Sequence, residues 1–360
     1  MWITDKIAQA QHWVQDHKQV PEKVVAEGVA YVRDHLDLAF HGPAKGPFPT
    51  LKALQQKFPK AGLPDRLIGT TIDIEAMNAK GETADSLMAR VAAMGMNSVR
   101  LGAYWDDSQP KAGVAPDFKR LDDLLAAARK YNIKVVLTVG AKAPNWPEFH
   151  VPTWAKPKDA AHPDQDAAFR ANTEAWVAAV AKRYAAEPAI AMWQVENEPF
   201  DPSGPAAGLF GQAQVKREAA ILRKADAGRR PVMVNVWSSG TSGDALKSAF
   251  AVGDLVGLDV YKSVGIPQGA FERTVALPQQ ALKLAKATGK PAMIAELQAD
   301  DWGGYRANSN DVGDLTHALE RMGFRDLLFW RLSQNIKNEK QGDPGLTRTE
   351  RSLAVEALSR

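Results

Sequence analysis

From Leu67 onward, short apolar runs alternate with stretches whose apolar positions recur at helical spacing. The short runs are LIGTTI at 67–72, SVRLGAYW at 98–105, KVVLTVG at 134–140, IAMWQVENE at 190–198, PVMVNVW at 231–237, LVGLDVY at 255–261, PAMIAEL at 291–297 and LLFWRLS at 327–333. Between them lie helical segments such as ADSLMARVAAMG at 84–95, LDDLLAAARKYN at 121–132, the long segment at 168–186 and LPQQALKLAKATG at 277–289. Each ends near Gly, Asn or Pro, residues that commonly stop helices. Regular strand and helix alternation predicts a parallel sheet with crossover helices. Eight strands favour closure into a (β/α)8 barrel over an open sheet.

The first 62 residues read differently. Ile3, Ile7, Ala10 and Val14 recur at helical spacing, and after Pro21 so do Val25, Val29, Val32 and Leu36. HGPAKGPFPT at 41–50 then breaks the pattern. The expectation is an α/β chain in two parts: a helical N-terminal extension and linker over 1–62, and a (β/α)8 TIM barrel over 63–360. The extension fits packing on the outside or bottom of the barrel, with a protein-partner or membrane-surface role as the alternative.

Composition narrows the function classes. Hydrophobic residues make up 45% of the chain and charged residues 24%, ordinary values for a globular protein. A net charge of +3, with no basic track interleaved with aromatics, excludes a nucleic-acid partner from the expectation. With no Cys, thiol nucleophiles, disulfides and thiolate metal sites are out. The opening MWITDKIAQAQHW lacks the pattern of a signal peptide, and nowhere do about 18 apolar residues run together, so the chain as it stands reads as soluble. Loss of an export signal or anchor would place it in a bacterial periplasm or outside the cell, and otherwise it is cytoplasmic.

Active sites of such barrels lie at the C-terminal ends of the strands. Polar residues there are Arg100 in the second run, Asn197 and Glu198 ending the fourth, Tyr261 ending the sixth, Glu296 ending the seventh, and Trp330 beside Arg331 in the eighth. Trp146 follows the third run and Trp302 lies in the ADDWGGYR loop after the seventh. Two carboxylates at one mouth point to glycoside hydrolysis, one protonating the leaving oxygen and the other attacking the sugar carbon. A spacing of roughly 5 to 5.5 Å would make the second a covalent nucleophile and give retention of configuration. An ionised Glu296 nearby would also keep Glu198 protonated, ready to act as acid.

WQVENEP at 193–199, followed by IAEL at 294–297, resembles clan A of the glycoside hydrolases, which holds cellulases, β-mannanases and β-galactosidases. The resemblance covers about Leu67 to Ser333. It implies a retaining β-glycoside hydrolase without cofactor or metal, acting on an oligo- or polysaccharide, with Glu198 as acid/base and Glu296 as nucleophile. By the same likeness, Arg100 holds the nucleophile ionised, Asn197 binds the sugar 2-hydroxyl, Tyr261 contacts the nucleophile and Trp330 forms the sugar platform. Two departures stand out. AKAPNW at 141–146 lacks the His that many cellulase-like members carry after the third strand. Asp259-Val260-Tyr261 puts a carboxylate where their sixth-strand His-x-Tyr pattern has an imidazole.

Simpler readings stand beside these. Asn197-Glu198 could be a polar strand end, Glu296 the partner of Arg100 in a buried ion pair, and the three tryptophans core filling. Simple alternation puts Glu196 on the same side as Glu198, as a rival acid, unless the strand end rotates or bulges. His150 and His162 lack a third ligand at metal-binding spacing and read as solvated loop histidines. Gly240 and Gly303-Gly304 carry no phosphate-binding fingerprint. Transglycosylation through the same covalent intermediate, and a non-catalytic carbohydrate-binding barrel, remain as alternatives.

Overall fold

The computed structural model describes residues 44–73, 81–145, 148–160, 162–201, 210–237, 243–261, 271–298, 309–330, 351 and 353–356 of the chain. The two helices expected before Pro43 lie outside the described residues. Eight parallel strands close into a barrel in sequence order, with β8 pairing back onto β1. They are β1 Ile68–Thr71, β2 Ser98–Gly102, β3 Lys134–Val139, β4 Ile190–Val195, β5 Val232–Trp237, β6 Leu255–Val260, β7 Ala292–Gln298 and β8 Leu327–Trp330. The expected run at 98–105 stops at Gly102, and Trp105–Ser108 turns helical instead.

Helices follow the strands: α2 Ala84–Ala93, α3 Lys119–Lys130, α4 Ala167–Tyr184, α5 Gln212–Ala225, α6 Gly243–Val252, α7 Phe271–Thr288 and α8 Ser309–Met322, preceded by α1 Leu51–Lys57 ahead of the barrel. Their ends follow from local chemistry. Thr83 and Ser86 form a reciprocal capping box at the start of α2, and the Asp166 carboxylate caps α4. Beyond their C-termini, Gly95, Asn132 and Gly289 adopt the left-handed backbone that ends a helix.

Alternation along each strand sorts side chains into two layers. Outward residues such as Val99, Leu101, Trp193, Val195, Val234, Leu258 and Ile294 pack in the cluster shared with the helices. Inside the barrel, Met192, Met233, Leu255, Met293 and Leu328 cluster with Leu51, Leu54 and Phe58, so α1 plugs the floor at the N-terminal end of the strands. An ion pair of 2.7 Å between Lys57 and Asp254 pins α1 there. One step higher the lumen turns polar, with Arg100, Gln194, Asn235, Asp259 and Glu296 all buried. Gly257 makes room below them, since a Cβ there would sit 2.6 Å from Ala295 Cβ and 3.1 Å from Asn235 Cβ.

Candidate active site

The polar upper layer is one hydrogen-bonded network. Arg100 is fully buried, and its Nε donates to Gln194 Oε1 at 2.7 Å while its two terminal nitrogens donate to Glu296 Oε1 and Asn197 Oδ1. The Tyr261 hydroxyl donates to Glu296 Oε2, so both oxygens of that carboxylate are held. Asn235 ties the other half together. Its Nδ2 donates to Asn197 Oδ1 at 2.9 Å and to Asp259 Oδ2, and its Oδ1 accepts the backbone N–H of Glu198 at 2.9 Å.

Glu296 reaches the lumen through an irregularity. Met293 and Ala295 face inward and Ile294 outward, so strict alternation would turn Glu296 out. The β7–β8 register shifts between Ile294 and Leu297, and that bulge re-aims Glu296 toward Arg100. At the end of β4 the device is backbone strain. Glu196 and Glu198 both have left-handed φ, +57° and +43°, a conformation unfavourable for residues with a Cβ. Glu196 therefore turns away from the lumen. Its oxygens accept the N–H groups of Ala141 at 2.9 Å and Lys142 at 2.5 Å, and it bonds the buried Glu218 carboxyl of α5. Only Gly140 permits this approach, because a Cβ there would fall 2.3 Å from the Glu196 carboxyl carbon. Of the two readings of Glu196, the rotated strand end is the one found, and simple alternation does not hold here. Lys142, also buried, donates from Nζ to the carbonyls of Glu198 and Asp201, both at 2.9 Å, and fixes the far side of the turn.

Carboxylate oxygens of Glu198, Asp259 and Glu296 lie within 4.8 Å of one another. Three such oxygens could crowd around a cation, but Arg100 already supplies a positive charge, and it and Tyr261 occupy both Glu296 oxygens. Burial, and then the acids Glu148, Asp259, Asp201 and Glu296, push the Glu198 carboxyl well above its ordinary range. Burial also raises Glu296, but Arg100 and the Tyr261 hydroxyl pull it back, so it ionises before Glu198. Tyr261 is pushed up by burial and by Glu296, and so remains a proton donor.

Of the residues singled out from the sequence, Arg100, Asn197, Glu198, Tyr261 and Glu296 converge here. Trp330 adjoins them, largely buried, its ring centroid 6.5 Å from that of Tyr261. Trp146 and Trp302 lie outside the described residues. Gln194, Asn235 and Lys142 were missed. The first two carried a signal, a lone amide inside an apolar strand run at an inward position. His162 is exposed and pairs with Asp159 at 2.9 Å. His150, expected to be solvated, is instead buried against the Tyr104 ring, with Nε2 3.2 Å from the Asn145 carbonyl. Just before it, Phe149 pairs with Lys142 in an isolated antiparallel bridge.

Comparison with known proteins comes to the same fold. Residues 61–257, more than half of the chain, match the family model described as cellulase (glycosyl hydrolase family 5). That segment contains Arg100, Asn197 and Glu198 and stops short of Glu296. No curated protein sequence matches the chain. Among solved structures, the GH5_18 protein of Streptomyces cattleya in complex with GlcNAc is similar at a TM-score of 0.63 and 14% identity, over 82% of this chain and 81% of that one. The endo-β-1,4-mannanase of Thermotoga petrophila gives 0.58 and 18%, over 75% and 69%. A β-galactosidase of the psychrophilic Marinomonas ef1 gives 0.56 and 15%, over 79% and 61%. At these identities the likeness is one of fold.

Proposed function

The chain belongs to glycosyl hydrolase family 5, whose members are retaining hydrolases of β-glycosidic bonds, and from that premise we propose that Glu198 and Glu296 carry a double displacement on an oligo- or polysaccharide. The observation that carries this reading is that a carboxylate oxygen of Glu198 and one of Glu296 lie within 4.8 Å of each other at the same mouth. Inverting enzymes need roughly 6.5 to 9.5 Å to admit a water between the carboxyls, whereas retaining ones need about 5 to 5.5 Å.

Glu296, ionised and aimed by Arg100 and Tyr261, attacks the anomeric carbon. Glu198 protonates the departing oxygen as the bond to it breaks. Once Glu296 is an ester its charge is gone, and Glu198, now a carboxylate, takes a proton from the water that attacks the same carbon and releases Glu296. Asn197 Oδ1 is saturated by Arg100 and Asn235, which leaves its Nδ2 hydrogens for a sugar hydroxyl. Trp330, beside Tyr261, forms the apolar floor for the sugar ring.

The test is release of nitrophenol from β-glucosides, β-galactosides, β-mannosides and β-xylosides, followed by polysaccharides. The panel is broad because the similar structures include a mannanase and a β-galactosidase. Glu296→Ala is expected to lose about 10⁴-fold or more in kcat. Azide should rescue it and give a glycosyl azide of inverted configuration. Wild-type silence on glycosides and polysaccharides alike would overturn the reading.

A further inference from the structure

Resting on the assignment of Glu198 as acid/base, we infer that Asp259 is a positioning residue for the transferred proton: its Oδ1 shares the Glu198 carboxyl proton and keeps the acid loaded at neutral pH. The placement is geometric. Asp259 is the register partner of Glu296 across β6 and β7, fully buried, with a carboxylate oxygen within 4.8 Å of both Glu198 and Glu296. Its Oδ2 accepts from Asn235 Nδ2, but its Oδ1, equally buried, receives no N–H donor among the described residues. Besides Asn235, the side chain that hydrogen-bonds Asp259 is Glu198, with a carboxyl oxygen within 4.8 Å of an Asp259 oxygen, so its proton is the donor at hand. A buried oxygen left without a donor is costly, and a proton on Glu198 removes that cost. Asn235 fixes the register of the pair, holding Asp259 by its amide nitrogen and the Glu198 backbone by its amide oxygen.

The charges facing this pair come from every side of the mouth. Arg100 on β2, Glu296 on β7 and Tyr261 after β6 interact with the pair. So do Glu148 after β3 and Asp201 after β4, with Lys142 on the Glu198 carbonyl. Acids outnumber bases, so burial and repulsion together favour one retained proton between Glu198 and Asp259. In the first step that proton passes to the departing oxygen as the anomeric C–O bond breaks and the Glu296 ester forms. The pair then holds two negative charges, but Glu296 has lost its own, so the net charge of protein groups and sugar together is unchanged. Repulsion within the pair makes Glu198 a strong base for the second step. It takes a proton from the attacking water, Glu296 leaves as a carboxylate, and the shared proton is restored.

Carboxyl titration by infrared difference spectroscopy tests this without needing a substrate, on the full chain with carbon-13-labelled glutamate. A buried protonated-glutamate band present in wild type and absent in Glu198→Gln identifies the acid. In Asp259→Asn its titration midpoint is expected to fall by about one pH unit or more, a tenfold change in proton affinity. The high-pH limb of kcat/KM on the nitrophenyl glycoside cleaved by the wild type should fall with it, which a purely structural role would not produce. The reciprocal variant covers a failure of Asp259→Asn to fold: with labelled aspartate, Glu198→Ala removes the donor that favours ionised Asp259 and should raise the midpoint of a buried aspartate band. An unmoved midpoint in the variant that folds overturns the inference while leaving the Glu296→Ala and azide results standing. Full activity of Glu198→Gln would instead remove the acid/base assignment itself.

Discussion

Glu196 and Glu198 stand two residues apart at the end of β4, both buried, both in left-handed backbone, and each faces a second buried acid. Their surroundings differ in one respect. Glu196 receives two backbone N–H groups, whereas among the described residues no N–H reaches the Glu198 carboxyl. The N–H donors hold the Glu196 pKa to about 7 although burial drives it up, while Glu198, ringed by acids, rises further. A carboxyl fastened to the backbone by two N–H groups is a structural tie. One whose near neighbours are titratable keeps a proton available for transfer. The same strained turn thus makes a fixture of one glutamate and an acid of the other.

The largest effect expected from breaking this comparison is on Glu198. Glu198→Ala should lower kcat by about 10² to 10⁴-fold on poor leaving groups, much less on dinitrophenyl glycosides that need no protonation, with the fold intact by circular dichroism. Glu196→Ala should do the reverse. It orphans the N–H groups of Ala141 and Lys142 and costs about 2 to 4 kcal/mol in urea unfolding, with an activity loss that does not depend on the leaving group. A loss confined to poor leaving groups in Glu196→Ala would show that Glu196, and not Glu198, is the acid.

How much of this could be read from the chain follows from the same residues. The barrel was legible because its strands are buried on both faces and so read as apolar runs bounded by turn residues. Asn197-Glu198 and Glu296 stood out as polar ends on such runs. The directions of Glu196 and Glu296 were not legible, since each departs from alternation, one through two left-handed residues and the other through a bulge. The Asp259–Glu198 contact joins β6 to β4 across the lumen, and nothing local encodes it. Glu218 carried a signal that went unread. In QAQVKREAAILRKA, buried Val215, Ala219 and Leu222 define the inner stripe of α5, and Glu218 falls on it. A charge on an apolar stripe asks for a buried partner.

That partner gives the smallest of the expected effects, and the one whose sign separates the two pairs most cleanly. Glu218 is pushed well above its ordinary range by burial and by Glu196, and Gln214 donates to its Oε1 at 2.9 Å. A carboxyl whose folded pKa exceeds its unfolded value binds more protons in the folded state, so stability falls as pH rises between the two values. For Glu196 that window runs from its ordinary 4.5 to about 7, and Glu218, raised in the same direction, adds to the decline. The thermal midpoint of the wild type should therefore drop across this range. Gln at 218 mimics the protonated carboxyl, donating to Glu196 from its amide while still accepting from Gln214, and removes the like charge. Glu218→Gln should flatten the decline and melt higher than wild type at pH 8, with the pH profile of kcat/KM unmoved. A profile that shifted would mean that the two carboxyl pairs titrate together through the turn they share.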